Sequence, residues 1–242
     1  MPFDAPELVL RYLTSERFFS AAMMTLLISI CSLAGGMLAG LAIALLQEAR
    51  FAALRAFSIA YLWLFRGTPV LFQLIFVFNV LPSFGIVLSG FACAVLALSL
   101  NEGAYMAEIM RSGIGAVGRG QRQAARALGM RDWQVMRWIV LPQALRIIIP
   151  PIGNQFIGML KLSALVSVIA VEELLLVANQ TASSNFRYLE ALAAAGIYYL
   201  ALTTIFMIGQ SLLENMLKRR GRRRTSLTER MLGATADAGR VR

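Results

Sequence analysis

The chain has 242 residues, 58 % of them hydrophobic, a net charge of +10 and a mean hydropathy of +0.68. Such a composition excludes an ordinary soluble domain, and the length suits one membrane bundle without a second folded domain. There is no histidine, and the only lysines, Lys161 and Lys218, each follow a leucine, so imidazole catalysis, His-ligated metal and a phosphate-binding Gly-Lys-Ser/Thr loop are all excluded.

The opening Met1-Pro2-Phe3-Asp4 has no basic n-region or cleavage site, so the first apolar run is expected to stay in the mature protein. That run, 19–46, is long enough to cross the ~30 Å of hydrocarbon in a bilayer. Its Gly35, Gly36, Ala39 and Gly40 form a small-residue surface that lets another helix approach closely. A second run, 57–80, is interrupted by Arg66-Gly67-Thr68-Pro69 and should bend or restart there. The third, 87–110, carries Asn101, Glu102 and Glu108. The fourth, 147–178, is too long for one straight crossing and holds Lys161, Glu172 and Glu173. The fifth is 191–217, and the basic stretch 218–242 reads as a disordered tail. Cys31 and Cys93 lie inside apolar runs and read as buried small hydrophobes.

The connections alternate in charge. Residues 48–55 hold Arg50 and Arg55, 81–86 hold no basic residue, 111–146 hold seven arginines, 179–190 hold only Arg187, and the tail holds nine basic residues. Basic connections stay in the cytoplasm, so five crossings with the N-terminus outside and the C-terminus inside are expected. Basic residues confined to the ends of apolar runs, not spread over a polar face, also exclude a nucleic-acid partner.

The connection 111–146 reads as two short helices. The first is Ala-rich and ends at Gly129, a residue suited to the left-handed position after a helix. Asp132 is expected to cap the second, which should end before Pro142. The apolar face of the first (Ala124, Ala127, Leu128) is shallow. It suits either a partner's groove or a headgroup layer, with Trp133 and Trp138 as interfacial anchors.

Gln123-Ala124-Ala125, three residues, Gly129, nine residues and Ile139-Val140-Leu141-Pro142 together resemble the EAA loop of ABC-importer permeases, with Gln123 where that family usually has Glu. The run from Phe65 to Leu74, the run from Leu100 to Ile109, and Leu160 to Ile169 followed by Glu173-Leu174 are similar to stretches of the polar amino-acid group, the histidine/glutamine/arginine/opine type. The resemblance implies an all-α integral membrane protein of about five transmembrane helices, with type I ABC-importer permease architecture. Residues 1–217 form the permease domain, 111–146 its cytoplasmic loop and 218–242 the tail. The expected location is the bacterial inner membrane.

The resemblance also implies that Gln123, Ala124, Ala125, Leu128, Gly129 and Pro142 serve coupling to an ATPase. The expected partners are two ATP-binding cassette subunits, a periplasmic substrate-binding protein, a second permease (identical or paralogous) and the lipid bilayer. No cofactor, metal or catalytic residue is expected.

Polar groups within apolar spans are functional candidates because hydrocarbon penalises them. Glu102 falls near the middle of its span, flanking a helical face with Asn101, Tyr105 and Glu108; it either receives a substrate ammonium or is bonded between helices. Lys161 and Ser163 lie where the fourth span is expected to break, and Lys161 either attracts a substrate carboxylate or neutralises Glu102, Glu172 or Glu173. Arg66 lines the pathway or snorkels to the inner surface. Gln73 and Glu173, at matching family positions, complete the pathway set. Two other classes compete: a membrane-embedded enzyme using Glu102 and Glu108, and an ATP-independent channel or scaffold.

Overall fold

Small residues decide how two of the long apolar helices meet. In the computed structural model, helix α2 (Glu16–Gln47) runs along α5 (Gly90–Gly115). A Cβ on Gly36 would stand 2.7 Å from Glu102 Cβ, and one on Gly103 would stand 2.8 Å from Ala39 Cβ. Only hydrogen fits at these points, so the backbones approach where larger residues would hold them apart. The structure describes residues 5–238, with side chains over 6–217. Every regular segment among the described residues is helical.

A short helix α1 (Ala5–Leu13) precedes α2, whose start is capped by the Ser15 hydroxyl accepting from Phe18 N–H at 3.3 Å. The second apolar run is split into α3 (Ala52–Gly67) and α4 (Val70–Val80), which with a following 3-10 turn to Phe84 bend by 105° at the Thr68-Pro69 break. Pro69 lacks an N–H and disfavours a helical Thr68, so the chain restarts there as the sequence leads one to expect.

After α5 come α6 (Arg119–Ala127), the single turn α7 (Asp132–Gln134) and a π-helical stretch Val135–Val140 that runs directly into α8 (Leu141–Leu162). A 3-10 segment Ser163–Ile169 and a left-handed turn at Ala170 (φ 59°) separate α8 from α9 (Leu174–Asn185). The last helix, α10, is Tyr188–Ala238.

By length and composition, four helices among the described residues suffice to cross a membrane, or five if the bent α3–α4 pair counts as one span. The expected break in the fourth run is found at Ser163, and α9 is a separate helix, not the end of that span. α5 is the central helix: 61 % of its most apolar stretch is buried, against 33 % or less in the other three.

Apolar burial gathers at several levels. Tyr12 and Phe18 join Leu174, Val177 and the alanines of α9 and α10 at one end. Ile28, Leu74, Leu98 and Met159 pack further along, and Val117, Ala125, Val135, Val140, Ala144 and Ile148 close around α6. The chain divides into a unit of residues 1–203 and a second that begins at Thr204 and consists of the rest of α10. Within that second unit, Ile205, Met207, Ile208 and Leu212 are exposed, an apolar surface suited to lipid. The disorder expected over 218–242 falls outside the residues whose side chains are described, and 239–242 lie outside the description altogether.

Candidate functional site

The elbow at α6 is built by helix-end chemistry. Leu128 N–H donates to Ala124 O at 3.1 Å, Gly129 N–H to Arg126 O at 2.9 Å and Met130 N–H to Ala125 O at 3.2 Å. These bonds occupy the last carbonyls of α6, and they require a left-handed residue, which Gly129 supplies at φ 80°. Arg126 Nε holds Asp132 Oδ1 at 2.8 Å across the turn.

Two expectations are corrected. Asp132 is the first residue of α7 and not its cap; the cap position is Arg131, whose N–H donates to Gln134 Oε1 at 2.8 Å. Pro142 does not end a helix but opens α8. The wider π turn before it absorbs a residue that has no N–H to give, so the chain passes from elbow to span without a gap.

The two sides of α6 differ. Ala125 is 4 % exposed, packed into the cluster that includes Val140 and Ile148 of the following span, whereas Leu128 is 85 % exposed. Gln123, Ala124 and Ala127 share the exposed side. Gln143 Nε2 of α8 reaches Gln121 Oε1 at 2.6 Å, and Arg122 donates to the Ile114 carbonyl. The elbow is therefore fastened to the bundle on one side and bare on the other.

The polar residues of the spans separate into distinct groups. Gln73 Nε2 donates to Phe65 O (3.0 Å), Thr68 O (3.1 Å) and Thr68 Oγ1 (2.8 Å), while Asn101 Nδ2 donates to Phe65 O and Gln73 Oε1, both at 3.0 Å. These two buried amides satisfy the carbonyls released where α3 ends. Glu102, next in sequence, is 3 % exposed and accepts from Gln155 Nε2 of α8 at 3.0 Å.

Arg66 pairs with Glu108 at 2.7 Å, each side chain 41 % exposed, with the guanidinium 5.6 Å from the centre of the Tyr105 ring. This trio is a mixed-charge surface that the spans offer outward. Lys161 is exposed and makes no ion pair among them, so it neutralises none of the three glutamates. Ser163 Oγ is buried and donates to Leu160 O at 2.8 Å.

Glu173 has no exposed surface. It caps α9, accepting from Leu175 N–H (2.9 Å), Leu176 N–H (2.7 Å) and Tyr199 OH (2.8 Å), and Thr25 Oγ1 takes the neighbouring Leu174 N–H at 3.2 Å. Gln155 and Tyr199 were not singled out in the sequence. Gln155 carried a signal, an amide inside an apolar run; Tyr199 carried none, because one tyrosine in a span is ordinary.

The family described as binding-protein-dependent transport system inner membrane component matches residues 36–219. The arginine transport system permease protein ArgU of Corynebacterium glutamicum is 40 % identical over 94 % of this chain and 76 % of its own length. The glutamine transport system permease protein GlnP of Escherichia coli K12 is 35 % identical over 81 % of this chain and 91 % of its own. A chain in the crystal structure of an amino acid ABC transporter with histidines superposes with a TM-score of 0.82 at 38 % identity, covering 89 % of this chain and all of that one. A chain of the inward-facing MetNI methionine ABC transporter gives 0.72 at 18 % identity, covering 84 % of this chain and 99 % of its own length, a likeness of fold.

Proposed function

The chain belongs to the binding-protein-dependent transport system inner membrane components, as a permease subunit of the polar amino-acid ABC importers, and from that premise we propose that it carries polar amino acids or their derivatives inward under the drive of separate ATPases. Membership implies ATPase, binding-protein and permease partners. Two ATPases bind below and an identical or paralogous permease completes the pathway. The N-terminus faces the periplasm and the C-terminus the cytoplasm.

One observation carries the coupling: α6 is bare at Leu128 and anchored at Ala125. A groove on an ATPase closing around Leu128, Ala124 and Gln123 moves α6, and the packed cluster passes that displacement to α8 without slack. Gly129 and Pro142 keep elbow and span one continuous piece. Rigid tilting of two such halves exposes the pathway alternately to each side.

The Arg66–Glu108 pair over Tyr105 supports a zwitterionic cargo, because a guanidinium and a carboxylate side by side match an α-carboxylate and an α-ammonium. Lys161 adds a cation to the pathway. Gln73, Asn101, Ser163 and Glu173 act as the frame that holds these groups, and Glu102 acts between α5 and α8.

The test is reconstitution in proteoliposomes with the cognate ATPase and binding protein, offering radiolabelled arginine, glutamine, histidine and an opine. ATP-dependent accumulation of at least one is expected. Equal flux without the ATPase establishes the ATP-independent channel instead.

A further inference from the structure

Beyond the importer reading, a cleft of about 660 Å³ occurs where α2 and α5 end. Leu41 and Leu45 of α2, Met110 of α5 and Met136 of the π segment give it apolar walls. Its charged groups are Arg111 and Arg122, with Glu48 opposite in sign.

Arg122 is under-satisfied. One of its terminal nitrogens donates to the Ile114 carbonyl, but its Nε is buried and has no partner among the described residues. A guanidinium that lines a cleft offers its remaining accessible N–H groups to an anionic oxygen there.

The cleft also has an apolar approach. Leu27, Ile30, Leu38, Leu41 and Leu45 are all exposed on one face of α2, from 47 % to 72 %, and the last two line the cleft itself. At ~1.5 Å per residue this 32-residue helix is about 48 Å long, well beyond the ~30 Å hydrocarbon layer, so its last turns lie at headgroup depth. An acyl chain laid along this stripe therefore brings its phosphate to the arginines.

We propose that this cleft binds a phospholipid of the phosphatidylglycerol class. Two arginines against one carboxylate leave one net positive charge, which matches the single negative charge of that headgroup. The phosphate takes the guanidinium groups of Arg122 and Arg111, and the glycerol hydroxyls donate to Glu48. Phosphatidylcholine offers the same phosphate but adds a bulky cation with no hydroxyl for Glu48 and no net charge.

The placement depends on the membrane-spanning fold and not on ATP coupling, so the test uses the purified full-length chain alone. The chain is exposed in mild detergent to equimolar phosphatidylglycerol and phosphatidylcholine, and retained lipid is counted by native mass spectrometry. Retention of phosphatidylglycerol over phosphatidylcholine by about five-fold per arginine is expected. Arg111→Gln with Arg122→Gln should bring the two lipids to parity, and Arg122→Lys should keep the preference. Gly115→Trp, which fills open space at the cleft without altering charge, should lower retention of both. Equal retention by the unaltered chain, retention unmoved by the paired arginine and Gly115 variants, or displacement by soluble glycerol phosphate overturns the lipid site.

Discussion

Asn101 donates to Gln73 across 3.0 Å, amide to amide, directly behind the point where α3 stops and α4 begins. Both amides also reach the Phe65 carbonyl, so one small network closes the break and ties it to α5. Gln73→Leu should destabilise the chain by about 1–3 kcal/mol, since Thr68 loses its donor and Asn101 its acceptor in Gln73. Adding Asn101→Leu should cost less than the sum of the two single changes, because either change alone already breaks the Asn101–Gln73 bond and strands its partner. Thermal unfolding of the unaltered chain and the three variants in detergent measures the cycle.

Glycine substitutions should split in sign. Gly36→Ala drives a methyl against Glu102 and should cost about 1–3 kcal/mol by overpacking. Gly158→Ala, in α8 with open space around it, should gain about 0.5–1 kcal/mol from reduced backbone entropy. Unfolding midpoints of the two variants should move in opposite directions.

Glu173 is positioned as a cap. Glu173→Ala removes the acceptor of two N–H groups and should cost about 0.5–2 kcal/mol, whereas Glu173→Gln keeps a carbonyl oxygen and should cost less. Uptake per folded molecule should be unchanged in Glu173→Gln. A fall in uptake with no fall in stability would instead make it a residue of the pathway.

Arg66 and Glu108 should behave in the opposite way. A half-exposed ion pair contributes about 1 kcal/mol or less to stability. Arg66→Gln should therefore leave unfolding nearly unmoved while raising the KM for uptake at least several-fold, and Glu108→Gln should do the same. Unaltered uptake by both variants removes this pair from the pathway.

How far the sequence could be read followed from where each signal sits. The spans were legible because hydrocarbon demands long apolar runs, and the break at Thr68-Pro69 and the turn at Gly129 were legible because proline and glycine mark them. α9 was merged with the preceding span: the run is apolar throughout, and the left-handed turn that separates them falls on Ala170, where no glycine announces it. α1 was missed because nine residues of mixed polarity are too short for a span and fold by docking Leu8, Val9 and Tyr12 on α9 and α10. Reading Pro142 as a stop failed because a π turn, a feature of the folded backbone, lies before it. Among candidate site residues, polarity within the spans identified Asn101, Glu102 and Arg66. It did not tell an outward-facing pair from a buried network, since that depends on which helix lies opposite.

The central claim is that force enters at Leu128 and leaves through Ala125 into α8. The most direct measurement is binding-protein-stimulated ATP hydrolysis alongside amino-acid uptake, in proteoliposomes of the complete transporter carrying Leu128→Asp. Loss of binding-protein-stimulated hydrolysis together with uptake is expected, with the variant chain still folded. Unchanged hydrolysis and uptake would contradict a role for this elbow in coupling.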